Sequence, residues 1–141
     1  MINRLAIIGV GLIGSSLALA LKQAQFVGHV VGCGRNQANL KKGIELGVID
    51  SYCDSVVEAV KDADVVVIAV PLSSMQSIFE QMQGVLSSDT VVTDVGSTKG
   101  SVIEAARVGL GDRLNQFVPG HPIAGSEKSG VEAGTAELYQ N

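Results

Sequence analysis

The chain has 141 residues, 46% of them apolar, with 17 glycines and a formal net charge of −4. That length suits one domain with a substantial core, and a charged fraction of 17% is too low for a disordered, solvated chain. Ten lysines and arginines offer no basic stripe to a nucleic-acid backbone, and no apolar run approaches the roughly 18–20 residues of a membrane span.

Apolar runs alternate with segments of helical period from one end to the other. Leu5 to Gly9 reads as a first strand, apolar throughout and so buried on both faces. A helix follows over Ser15 to Gln23, a short strand over His29 to Cys33, and a helix over Leu40 to Leu46 closed by Gly47. Ser51 to Cys53 forms a minimal third strand and Val56 to Lys61 a helix. Asp64 to Val70 is the strongest strand signal, with Val65-Val66-Val67-Ile68 at its centre and Pro71 as its stop. Ser74 to Met82 is helical, Thr90 to Val95 a strand, Ser101 to Val108 a helix, and Phe117 to Pro119 a sixth strand. The expected fold is α/β, a Rossmann-type doubly wound, mainly parallel sheet with helices on both faces, as one domain over residues 1–141.

The first strand runs into Gly9-Val10-Gly11-Leu12-Ile13-Gly14 at the start of the first helix. Gly9 permits a tight turn, Gly11 lets the backbone approach a pyrophosphate, and Gly14 allows close packing of helix on strand. With Leu12 and Ile13 they make a candidate dinucleotide cradle, because a helix start offers free N–H groups and a positive dipole end. Ser15 and Ser16 add hydroxyl donors.

At the end of the second strand an acidic residue would accept hydrogen bonds from both ribose hydroxyls and select NAD. The chain instead has Gly32-Cys33-Gly34-Arg35-Asn36. Arg35 stands where a guanidinium pairs with a 2′-phosphate, as in NADP, or stacks on adenine and selects nothing. Gly34 and Arg35 are therefore candidate cofactor residues with NAD or NADP left open. Val70 and Pro71 close the fourth strand at the same edge and are candidate contacts to the nicotinamide ribose.

Two later motifs carry the chemistry. Asp94-Val95-Gly96-Ser97-Thr98-Lys99-Gly100 joins the fifth strand to the next helix, with hydroxyls at Ser97 and Thr98 and a point charge at Lys99. An ordinary N-cap by Ser97 or Thr98 is the competing reading. In Gly120-His121-Pro122-Ile123-Ala124-Gly125-Ser126-Glu127, His121 follows the sixth strand between a glycine and a proline. An imidazole there titrates near neutrality and suits proton transfer from a substrate hydroxyl. His29, at a strand start, reads as a surface or packing residue.

The opening apolar run is too short for a signal peptide, and Cys33 and Cys53 fit neither a metal spacing nor a disulfide framework. Reduced thiols in a cytoplasmic protein are expected, with no metal site, no nucleic-acid partner and no membrane association.

The GVGLIG turn, the VVVIAVP strand, the DVGSTKG turn and the GHPIAGSEKSG stretch together resemble the prephenate dehydrogenase family, which includes arogenate and cyclohexadienyl dehydrogenases. The likeness covers essentially the whole chain but only the nucleotide-binding half of such an enzyme. GHPIAGSE at its distance behind DVGSTKG is the specific part. The resemblance implies a cytoplasmic NAD(P)-dependent oxidoreductase of tyrosine biosynthesis, converting prephenate (or arogenate) to 4-hydroxyphenylpyruvate (or tyrosine) with loss of CO2. It implies that His121 takes the proton of the ring hydroxyl, that Ser97 binds near that hydroxyl and orients the histidine, and that Lys99 contributes to substrate binding. It further implies a homodimer for the full enzyme and a helical C-terminal domain, absent here, that supplies the dimer interface and the cations for the substrate's two carboxylates. On that reading this chain folds and binds cofactor but turns substrate over poorly by itself. Many bacterial members use NAD, against the pull of Arg35 toward NADP. The alternatives are a β-hydroxyacid dehydrogenase-like reductase, which has no reason to carry GHPIAGSE, and a nucleotide-sensing domain without chemistry.

Overall fold

The computed structural model describes residues 2–9, 12–95 and 99–119, apart from the side chains of Leu12, Ile13 and Lys99. Among the described residues the elements run β1 (Ile2–Ile8), α1 (Leu12–Gln23), β2 (Val27–Cys33), α2 (Gln37–Glu45), β3 (Ser51–Cys53), α3 (Val56–Val60), β4 (Val65–Ile68), α4 (Leu72–Met82), β5 (Val91–Asp94), α5 (Lys99–Leu110), a 3-10 helix (Gly111–Gln116) and β6 (Phe117–Val118). The strands form one six-stranded sheet in the order β3-β2-β1-β4-β5-β6, and all its pairings are parallel. The chain builds outward from β1 to β3, then returns to lay β4 on the other side of β1. That reversal creates the crevice in which open α/β sheets bind ligands.

Side chains alternate across each strand, so one strand feeds two cores. Leu5, Ile7, Val30 and Val67 turn to the face covered by α1 and α2, where Leu17, Ala18 and Leu40 meet them. Ala6, Ile8, Val31, Val66, Ile68 and Val92 turn to the opposite face. There α3, α4 and α5 contribute Ala59, Val60, Met75, Phe79, Val102 and Ala106. The doubly wound architecture expected from the alternation is the one observed. Phe79 also meets Phe117 edge-on, with ring centroids 5.4 Å apart and planes at 80°, an arrangement worth about 0.5–1.5 kcal/mol beyond area burial.

Several boundaries differ from the sequence-based expectation. β1 begins at Ile2 and β2 at Val27 because their early residues already pair, Ile2 with Val27 and Arg4 with His29. α2 begins at Gln37 rather than Leu40, since Asn36 caps it and accepts a hydrogen bond from the Asn39 N–H at 3.1 Å. Its end follows the expected glycine stop: Gly47 has φ +76, and the N–H groups of Gly47 and Val48 donate to the carbonyls of Ile44 and Gly43, a Schellman closure. β4 is shorter than Asp64–Val70, running from Val65 to Ile68, and the Asp64 carboxylate just before it accepts from the N–H groups of Asn3 and Arg4. The 3-10 helix is new. It begins at Gly111 with φ +54, and Gln116 Nε2 donates to the carbonyls of Ser87 and Thr90, both at 2.8 Å, setting the approach to β6.

Candidate functional site

The carboxyl ends of β1, β2 and β4 are tied together by two backbone hydrogen bonds. The Gly9 N–H donates to the Cys33 carbonyl and the Ala69 N–H to the Ile8 carbonyl, each at 2.7 Å. Gly9 turns there with φ +98, and a Cβ on it would lie 2.5 Å from the Ala69 carbonyl oxygen. Glycine is thus required twice over, by the left-handed backbone and by the approach of β4. On α1, a Cβ added to Gly14 would lie 2.7 Å from the Gly9 carbonyl oxygen and 3.1 Å from Ile7 Cγ2. The helix start therefore rests directly on the turn, and its first turn carries no acidic residue to offset the positive dipole end.

A cavity of about 750 Å³ opens at this edge, floored by Ile8, Gly9, Cys33 and Ala69. Gly34 and Arg35 form part of its rim after β2, and Val70 and Pro71 after β4. All four were expected at a cofactor site, and the fold brings them to one cavity with Gly9. Gly14 acts one layer behind, in the packing of helix on turn. The volume lies in the range of small-molecule and cofactor sites. The cradle that a Cβ would fill, together with a helix start lacking acidic residues, fits a bound dinucleotide.

Of the remaining expected residues, Gly11, Ser97 and His121 lie outside the described residues, as do the side chains of Leu12, Ile13 and Lys99. Strands β5 and β6 end at Asp94 and Val118. The Val95 N–H still donates to the Ile68 carbonyl, at 3.1 Å. His29 is half-buried with its Nε2 2.9 Å from Ser51 Oγ, a packing role as expected.

Sequence reasoning missed part of the lining: Asn36 and Gln37 at the start of α2, Asp54 after β3, and Ser74, Ile78 and Gln81 on α4. Asp54 had a usable signal, because it directly follows a strand at the same sheet edge. The α4 residues had none, since their position depends on how that helix packs. Gln37 Nε2 donates to Asp54 at 3.3 Å, a long contact that joins α2 to the end of β3.

Cys33 and Cys53 stand opposite one another across β2 and β3 and are both free thiols. Burial, then Cys53 and Asp54, push the Cys33 thiol up to about 11. Burial, with Glu58 and Asp54 outweighing Arg4, also raises Cys53. The cavity floor is therefore neutral. Among the described residues no group of three or more His, Cys, Asp or Glu stands ready to hold a metal ion. No helix among them is long and apolar enough to cross a membrane.

The chain matches the family described as prephenate dehydrogenase, nucleotide-binding domain, over residues 17–141. It is 40% identical over 134 residues to the prephenate dehydrogenase of Bacillus subtilis (strain 168), covering 94% of this chain and 36% of that protein. It is 36% identical over 139 residues to the cyclohexadienyl dehydrogenase of Zymomonas mobilis, covering 99% of this chain and 47% of that protein. Among solved structures, the prephenate dehydrogenase of Aquifex aeolicus in complex with hydroxyphenyl propionate and NAD+ superposes with a TM-score of 0.80 at 35% identity. That match covers all of this chain and 49% of the other. The chain thus spans less than half the length of these relatives. With the β3-β2-β1-β4-β5-β6 sheet, the glycine cradle at its crevice and a family match over most of its length, the chain belongs to the prephenate dehydrogenase family, as its nucleotide-binding domain.

Proposed function

We propose that this chain is the dinucleotide-binding part of a cytoplasmic, homodimeric enzyme that oxidatively decarboxylates prephenate or arogenate. The observation that carries the reading is the cavity at the β1/β4 crevice, floored by a glycine that no other residue can replace, in a chain of this family. Gly9, Gly11, Leu12, Ile13 and Gly14 hold the pyrophosphate, Gly34 and Arg35 the adenosine end, and Val70, Pro71 and Ser97 the nicotinamide end. When bound, the dinucleotide supplies the hydride acceptor.

The chain's own residues handle the proton. His121 accepts it from the ring hydroxyl, Ser97 hydrogen-bonds that hydroxyl and keeps the imidazole in line, and Lys99 attracts the anionic substrate. Loss of CO2 then aromatises the ring and makes the step irreversible. A helical domain beyond this chain completes the carboxylate contacts and the dimer.

The test is the His121→Ala variant of the protein that carries this chain, assayed with prephenate, arogenate and simple 3-hydroxy acids. Turnover of the first two should fall about 10²–10⁴-fold while dinucleotide binding persists. Undiminished turnover would refute the role of His121. Wild-type turnover of 3-hydroxy acids alone would point to a β-hydroxyacid dehydrogenase-like reductase, and no turnover with intact nucleotide binding to a sensing domain.

A further inference from the structure

The adenosine end of the cavity lacks the group that would hold an unmodified ribose. Cys33, the last residue of β2, is 4% exposed and neutral, and the chain continues as Gly34-Arg35-Asn36. The Asn36 side-chain oxygen is engaged as the N-cap of α2, accepting from the Asn39 N–H. Neither residue replaces the carboxylate that accepts from both ribose hydroxyls in an NAD site.

Arg35, in contrast, is exposed on the rim and makes no hydrogen bond or ion pair with any described residue. It directly precedes Asn36, the N-cap of α2, whose first turn carries no acidic residue, so the local field favours an anion. Asp54 is the one carboxylate among the lining residues. It follows β3, one strand further from the crevice than Arg35, and its oxygens face the Gln37 amide at 3.3 and 3.5 Å.

We propose that Arg35 pairs with a 2′-phosphate on the adenosine ribose, so that the cavity selects NADP(H) over NAD(H). A guanidinium fork matches a phosphate with two parallel hydrogen bonds, and a free arginine at the rim needs no partner broken to make them. The reading rests on the dinucleotide site proposed above and adds its specificity.

The protein carrying this chain is titrated with NADH and NADPH by nicotinamide fluorescence, with 2′,5′-ADP and 5′-ADP as competitors, at low and moderate salt. NADPH should bind at least about tenfold more tightly than NADH, and 2′,5′-ADP should compete better than 5′-ADP. Salt should narrow the gap, because the distinguishing pair is solvent-exposed. Arg35→Ala should weaken NADPH binding at least about tenfold and erase the preference, while Arg35→Lys retains part of it. Equal binding, tighter NADH binding, or an Arg35→Ala variant that weakens both nucleotides alike would overturn the proposal, the last by assigning Arg35 to adenine stacking. Failure of either nucleotide to bind would instead remove the dinucleotide reading, and this one with it.

Discussion

The carbonyl oxygen of Gly9 occupies the space that a side chain on Gly14 would need: an ideal Cβ there would lie 2.7 Å away. The first and last glycines of the turn are therefore coupled. Gly9 adopts a backbone conformation open to glycine, and its carbonyl then lies where only another glycine can pass over it.

Gly14→Ala should be destabilising even though alanine is the better helix former by about 1 kcal/mol. Both blocking groups belong to the turn and the strand beneath it, so the clash is relieved only by lifting α1 off the sheet. Overpacking of this kind costs about 1–3 kcal/mol, and dinucleotide affinity should fall with it. Thermal unfolding and a nucleotide titration check this; an unchanged melting temperature would show that α1 shifts freely.

α5 offers an internal control. A Cβ on Gly109 would lie 2.5 Å from Phe79 Cβ and 2.9 Å from the Gln76 carbonyl oxygen, whereas one on Gly100 would meet nothing within 4 Å among the described residues. Gly109→Ala should cost about 1–3 kcal/mol by forcing α5 away from α4. Gly100→Ala should be neutral or stabilising by up to about 1 kcal/mol. Denaturant midpoints measure both, and equal effects would refute the packing argument.

Asp50 ties three elements together. Its carboxylate accepts from the Val30 N–H at 2.8 Å and pairs with Lys22 at 3.0 Å, and Lys22 also donates to the Gly47 carbonyl at 2.9 Å. Burial opposes ionisation, but the Val30 N–H and the Lys22 ammonium together hold the Asp50 carboxyl below its ordinary value of 3.8. Because the folded value is the lower one, the stabilisation is complete above pH 3.8 and is lost as pH falls through the folded value. Asp50→Ala should cost about 1–2 kcal/mol at neutral pH, discounted for partial exposure. The gap between variant and wild type should close in acid; a gap unchanged down to pH 2 would exclude this role.

The Cys33 thiol should resist modification in the folded protein. With its value near 11, only about one molecule in a thousand carries the thiolate at pH 8. Ellman's reagent should label Cys33 slowly under native conditions and at the rate of a free thiol after unfolding. Rapid native labelling at Cys33, located by peptide mapping, would contradict the buried environment.

The apolar runs Leu5-Ala6-Ile7-Ile8 and Val65-Val66-Val67-Ile68 determined the doubly wound class unaided, because strands buried on both faces must be apolar throughout. The Gly9 to Gly14 spacing located the cradle for a similar reason: a turn this tight excludes side chains, and that exclusion is written in the residue types. Arg35 and Pro71 were legible as rim positions because each lies within three residues of a strand's carboxyl end. Tertiary structure decided the rest. Ser74, Ile78 and Gln81 reach the cavity only through the packing of α4 on the sheet, and Asp54 only because β3 pairs in register with β2. The early pairing of Ile2 with Val27 likewise sets strand limits that local sequence does not encode. A residue's own neighbours in the chain dictate its backbone preference and its face. Which residues meet across a crevice depends on strand order and helix packing, and those are set by contacts between segments far apart in the chain.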